Sequence, residues 1–350
     1  MRHAIIKLTN VRRDQQIPSL RVGAGEAIYD RASTLRQNSL PRNMSAHKPP
    51  SAAVRELAFQ PPLDWERLLR FFGGRATAGV EAVENGVYLR AIEWNGDHGT
   101  LAVSRHPDKD CLVAEINGKA SRHADALVAP LSRMFDLQTD TRRIRKHLAK
   151  DPWLAPLFKV APGLRVPGAW SAFELVVRTI VGQQVSVKAA TTIVGRLVER
   201  AGERIEGHPH AATAWRFPTP HALATVDLTA IGMPGKRVAA LQGFAHAVAQ
   251  GDVPVDDPAA DTADLRKALL GLPGIGPWTV EYVAMRAWRD ADAWPASDLV
   301  LMQAINDRDP SLLKLTHQKS RAEIWRPWRA YVAMHLWNEI ADRMGQARGG

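Results

Sequence analysis

Residues 272–298 read LPGIGPWTVEYVAMRAWRDADAWPASD, and this stretch decides how the rest of the chain is read. A helical pattern over 262–270 stops at Gly271, a common way for a helix to end. Leu272-Pro273-Gly274-Ile275-Gly276 then forms a tight turn. Pro277 suits the first position of the next helix, where its missing N–H costs nothing. Gly274 and Gly276 carry no Cβ, so their amides can approach a phosphate, and the positive end of a helix over 277–289 adds to that attraction. Leu272 and Ile275 are placed to bury themselves between the two helices. The spacing therefore predicts a helical hairpin over 262–289. Such a hairpin can grip a nucleic-acid backbone or simply join two helices.

Beyond the turn, Trp278 and Tyr282 stand at i and i+4 and share a helix face. An aromatic pair at that spacing is usually core, and spacing alone favours core over a binding surface. Asp298 directly precedes LVLMQAI (299–305), which is where a helix N-cap sits. From the local sequence alone, the cap is the better reading of Asp298.

Working outward, 350 residues leave room for two or three domains with sizeable cores. The formal charge of +10 suits an acidic partner such as nucleic acid. However, residues 1–50 hold nine Lys/Arg against three Asp/Glu, so +6 of that +10 lies in one short segment. Cys111 is the single cysteine. It excludes an internal disulfide framework, a Cys-rich zinc site and a four-cysteine iron–sulfur cluster, and it reads as a buried strand thiol. No apolar run approaches the roughly 18 residues of a membrane span, and the N-terminus lacks a secretory apolar region. The expected location is cytoplasmic, with the nucleoid.

Residues 1–55 show no sustained period and read as a basic, disordered arm. A domain over 56–139 follows. Trp65–Gly73 is helical after the N-cap Asp64, strands fall at 79–83, 87–94, 100–106 and 111–116, and a second helix covers 124–135. Turn signals at Asn85-Gly86 and Asn95-Gly96 make the sheet mainly antiparallel. Over 140–350 strand signals nearly vanish, and helices are expected at 141–150, 171–182, 186–202, 220–230, 236–250, 262–270, 277–289, 299–306 and 320–345. The fold class is α+β, with an N-terminal mainly antiparallel α+β domain followed by an all-α region.

LPGIGPWTVEYVAMRAW followed by PASD resembles the helix-hairpin-helix DNA glycosylases, specifically the DNA-3-methyladenine glycosylase II (alkylbase DNA glycosylase) family. The likeness covers nearly all of 58–345. It includes QPPLDWERLLRFF (60–72), RMFDL (133–137), PGLRVPGAWSAFELVVRTIVGQQVSV (162–187), FPTP (217–220), IGMPGKR (231–237) and WRPWRAYVAMHLW (325–337).

The resemblance implies a base-excision enzyme that flips an alkylated base such as 3-methyladenine out of double-stranded DNA, hydrolyses its N-glycosidic bond and leaves an abasic site. It assigns catalysis to Asp298, whose carboxylate stabilises positive charge growing on the sugar. It assigns the base pocket to Trp278, Tyr282, Trp337, Phe71 and Leu299. DNA binding falls to Gly274, Gly276, Pro277, Thr279, Gln183 and Gln184. Superfamily members that also cut the backbone carry a lysine where this chain has Trp278, so no amine stands there to form a Schiff base. No cofactor is required, although the carbonyls of Leu272 and Ile275 match positions that hold a sodium or potassium ion in relatives. A monomer is expected.

Two positions depart from the family. An apolar wedge is usual where Gln184 stands, and some relatives carry an aromatic at Leu299. Arg326, Arg329 and the Lys236-Arg237 pair are further candidates for phosphate contact. Cation–π attraction contributes about 0.5–2 kcal/mol and base stacking about 1–3 kcal/mol. Pocket affinity therefore cannot supply all the selectivity, and the greater lability of a cationic base should set the rates. The competing readings are a non-catalytic helix-hairpin-helix DNA-binding protein and a glycosylase for oxidised or deaminated bases.

Overall fold

The computed structural model describes residues 52–205 and 210–349. The expected arm over 1–55 lies outside the described residues as far as Ser51. Its last four residues are corrected, because Ala52–Arg55 open a β-strand.

The N-terminal part comprises β1 (Ala52–Ala58), α1 (Trp65–Gly73), β2 (Glu81–Glu84), β3 (Val87–Trp94), β4 (Asp97–Arg105), β5 (Cys111–Gly118) and α2 (Ala124–Met134). Its five strands are antiparallel in the order β1-β5-β4-β3-β2. Asn85-Gly86 and Asn95-Gly96 all have positive φ, as the tight turns joining β2 to β3 and β3 to β4 require. Leu101 and Val103 on β4, and Leu112, Ala114 and Ile116 on β5, alternate inward, so one sheet face meets the helices. Phe72, Tyr88 and Phe135 fill the space between, with ring centroids 5.1–5.7 Å apart. Each such buried side chain contributes about 1.5–3 kcal/mol. Cys111 is buried at the start of β5, as expected.

The remainder is helical: α3 (Thr141–Leu148), α4 (Ala155–Val160), α5 (Ala172–Gly182), α6 (Val187–Ala201), a two-stranded ribbon of β6 (Glu203–Arg204) and β7 (Trp215–Arg216), α7 (Pro220–Thr225), α8 (Gly235–Ala249), α9 (Thr262–Leu270), α10 (Pro277–Arg286), α11 (Leu299–Asn306), α12 (Leu315–Ala322) and α13 (Arg329–Gly349). The two-residue strands β6 and β7 form a short ribbon within this helical part. The ribbon docks on the sheet domain, where the Trp215 amide donates to the Gly79 carbonyl at 2.9 Å. The helix expected over 320–345 is corrected. It is split before Arg329, since Pro327 can neither donate an N–H nor leave its predecessor helical.

Two apolar cores organise these helices. One gathers α3 and α4 with α11 and α13, and the other gathers α5 to α10. The chain thus leaves the sheet domain, builds part of the first core, completes the second and returns to finish the first. Residues far apart in sequence are brought to the seam between them.

A buried ionic cluster fastens α5 to the sheet. The Arg178 guanidinium sits 2.7 Å from Glu81 and 2.9 Å from Glu174, while Arg90 pairs with both carboxylates. Tyr88 donates its hydroxyl to Glu81 at 2.5 Å. Burial alone would raise the Glu81 pKa, but Arg178 and Arg90 outweigh it and hold the carboxyl well below its usual value.

Candidate active site

Helices α1, α5, α10, α11 and α13 enclose a cavity of about 550 Å³. Asp298 stands on its wall as the N-cap of α11. Its Oδ1 accepts the Val300 and Leu301 amides, each at 3.0 Å, and the Trp337 indole N–H at 2.9 Å. Its Oδ2 accepts the Trp278 indole N–H at 3.1 Å, and among the described residues no other donor reaches that oxygen. The two readings of Asp298 are therefore divided between its oxygens. Oδ1 performs the cap, while Oδ2 keeps capacity for a further interaction, since a carboxylate oxygen has two acceptor sites. The positive end of α11 favours negative charge at this point.

Trp278 and Tyr282 stack, with centroids 5.4 Å apart and planes 11° from parallel, and Tyr282 meets Trp337 edge-on at 6.0 Å. The next residue on the same face of α10 is Arg286, which donates to the Tyr282 hydroxyl at 2.9 Å. Its guanidinium lies 5.3 Å from the Tyr282 ring and 4.7 Å from the Phe71 ring, and Arg75 lies 4.0 Å over Phe71. Burial would raise the Tyr282 pKa, yet Arg286, Arg75 and Arg178 outweigh it and bring the phenol below its ordinary value. Trp278, Tyr282, Trp337 and Phe71 thus all line one cavity with Asp298.

Leu299 does not join them. It is 80% exposed, and the neighbouring Val300 lines the cavity instead. One residue turns a helix by about 100°, enough to exchange the two side chains.

The hairpin forms as expected. Gly274 takes φ +82°, and a Cβ there would lie 2.7 Å from the Ala240 methyl. Gly276 has ordinary φ, and a Cβ on it would meet nothing within 4 Å. Pro277 opens α10, Ile275 is buried between the helices and Leu272 packs against the same core.

Thr279 is corrected as a DNA contact. It is 2% exposed, and its hydroxyl accepts the Gln183 side-chain amide at 3.4 Å. Gln183 also donates to the Gly274 carbonyl at 3.0 Å, which ties the α5–α6 loop to the hairpin. Gln184 is exposed at the tip of that loop with φ +59°. Arg329 is drawn away from the phosphate role by Asp292 and Glu323, at 2.9 and 3.0 Å, and Arg326 pairs with the same two carboxylates. Lys236 remains exposed.

Sequence reading overlooked Arg75, Arg178, Glu174 and Arg286. A signal was present for Arg286, which follows Tyr282 by four residues on one helix, whereas Arg75 lies beyond the end of α1.

With this geometry in place, comparison with known proteins assigns the chain. Residues 54–171 match the AlkA N-terminal domain, and residues 177–330 match the HhH-GPD superfamily base excision DNA repair protein. The chain is 34% identical to DNA-3-methyladenine glycosylase 2 of Escherichia coli (strain K12) over 284 residues, spanning 80% of this chain and 95% of that protein. It is 27% identical to a DNA-3-methyladenine glycosylase of Bacillus subtilis (strain 168), over 74% of this chain and 88% of that one. The fold is shared with a 3-methyladenine DNA-glycosylase from Archaeoglobus fulgidus, at TM-score 0.69 and 20% identity, over 81% of this chain and 97% of that one. The chain belongs to the DNA-3-methyladenine glycosylase 2 family of HhH-GPD proteins.

Proposed function

We propose that this enzyme hydrolyses the N-glycosidic bond of alkylated bases in double-stranded DNA, with Asp298 as the catalytic carboxylate, and leaves an abasic site in an unbroken strand. The observation that carries this reading is the division of labour at Asp298, with Oδ1 held by the cap and by Trp337 while Oδ2 stands in the aromatic cavity. A base flipped into the cavity packs against Trp278, Tyr282 and Trp337. As its bond to C1′ lengthens, positive charge grows on the sugar, and Oδ2 stabilises that charge and orients the incoming water. Trp278 offers an N–H but no nucleophilic amine, so the reaction stops at hydrolysis. The enzyme acts as a monomer.

The hairpin amides of Gly274 and Gly276 would hold a backbone phosphate, and Gln184 would fill the gap left by the flipped base. A sodium or potassium ion would bind the carbonyls of Leu272 and Ile275, which share one turn. The Leu272 oxygen accepts the Ile275 amide at 3.2 Å and retains a second lone pair. Such an ion would add positive charge beside the phosphate, and no step of base release runs through it.

Single-turnover incubation with methylated duplex DNA tests the reading. Free methylated base should appear while the strand stays whole until alkali is added. Absence of released base, or a protein–DNA adduct trapped by borohydride, contradicts it.

The two hairpin glycines should behave differently. Gly276→Ala should weaken duplex binding about tenfold by crowding a phosphate, with the melting temperature unchanged. Gly274→Ala should instead cost about 1–3 kcal/mol of stability, because its conformation and the Ala240 contact both oppose a side chain. Fluorescence anisotropy and thermal melts on both variants check this, and equal loss of binding and stability in both would contradict it.

A further inference from the structure

Two guanidiniums on the cavity wall have no carboxylate beside them. Arg286, 7% exposed, gives its N–H groups to the Pro167 and Gly168 carbonyls and the Tyr282 hydroxyl. Arg75 lies over Phe71, and among the described residues its guanidinium meets neither a carboxylate nor a hydrogen-bond acceptor. The cavity's other two arginines, Arg90 and Arg178, are matched by Glu81 and Glu174. What remains unbalanced is Asp298 at one end of the Trp278–Tyr282 stack, and Arg286 with Arg75 at the other. The lining therefore carries an excess positive charge, and the Phe71 face is already taken by cations. At the Phe71 end of the pocket a cationic base would meet guanidiniums instead of an open ring face.

We infer that Arg75 is a specificity-determining residue that donates to a keto oxygen of the flipped base and so favours neutral, carbonyl-bearing bases relative to cationic ones. This rests on the base-excision reading above. When a neutral base departs, the C1′–N bond breaks with its electron pair going to the base, and the resulting negative charge spreads onto the keto oxygen. Water adds to C1′ and gives up a proton, and the base takes a proton from solvent. A guanidinium stays protonated throughout and has free N–H donors for the developing oxyanion. A cationic N-alkylated base leaves as a neutral molecule, so its departure develops no such charge. Before departure it feels repulsion from Arg75 and Arg286.

Single-turnover release from two otherwise identical duplexes tests this, one carrying neutral hypoxanthine with its keto oxygen, the other carrying cationic 3-methyladenine without one. Arg75→Gln should lower the ratio of hypoxanthine to 3-methyladenine release by about tenfold or more, the value of one charge-assisted hydrogen bond. Arg75→Lys should preserve most of the ratio. If the glutamine variant does not fold, as judged by circular dichroism, Arg75→Met keeps the apolar stem over Phe71 and is read the same way. A ratio that stays constant while both rates fall assigns Arg75 a purely structural role and overturns the inference. Wild type that releases 3-methyladenine but no hypoxanthine overturns it too, leaving base excision standing. Wild type that releases neither overturns the base-excision reading itself.

Discussion

Asp298→Asn should slow single-turnover base release by about a thousandfold, the scale expected when a preorganised electrostatic partner is removed from a transition state. Asparagine caps helices nearly as well as aspartate, so the Val300 and Leu301 amides keep their acceptor. The amide nitrogen, however, must then face the Trp278 N–H, placing donor against donor where Oδ2 was. The substitution thus separates the two roles of the residue, with the cap kept and the charge lost. Duplex binding and melting temperature, measured alongside the rate, should change little. Activity within tenfold of wild type, with binding intact, would remove Asp298 from the chemistry.

Glu174→Ala should cost about 3–5 kcal/mol in folding stability, because it leaves Arg90 and Arg178 buried with Glu81 as their shared counter-ion. Urea unfolding measures the loss, and a change below about 1 kcal/mol would show that the cluster is better solvated than its burial implies. The same cluster predicts an acid limb. Glu81 has a folded pKa below its ordinary 4.5, so the unfolded chain takes up a proton that the folded chain refuses. The stability contributed by Glu81 is complete above pH 4.5 and is lost as pH falls from there toward the depressed folded value. A flat stability profile through that window would contradict the assignment.

Much of the fold was legible because its signals are local. Both Asn-Gly turns, the Gly271 stop and Pro277 at a helix start announce themselves within a few residues. Strand β1 does not, since its partner β5 lies more than fifty residues onward and Leu57 is its one fully buried side chain. The break before α13 is written in Pro327. At the site, Trp278 and Asp298 were legible as candidates, but the choice between cap and chemistry was not. It turns on Trp337, which lies 39 residues further along the chain. Leu299 and Thr279 were misassigned for a different reason. A motif fixes the position of a residue along a helix, but whether its side chain points to the cavity, the solvent or the core depends on neighbours supplied by other helices. Arg75 and Arg286 acquire meaning only once the rings they follow are known to line one cavity.

The bond from the Gln183 side chain to the Gly274 carbonyl carries a consequence for damage search. It yokes the loop that presents Gln184 to the hairpin that would seat a phosphate. If the hairpin seats a phosphate and Gln184 probes the stack, as proposed, the protein sets the distance between them, as with the jaws of a caliper. An enzyme held this way would test nucleotides at a fixed offset from the phosphate it engages. Loosening the yoke would leave each encounter as tight as before while blurring which nucleotide is sampled.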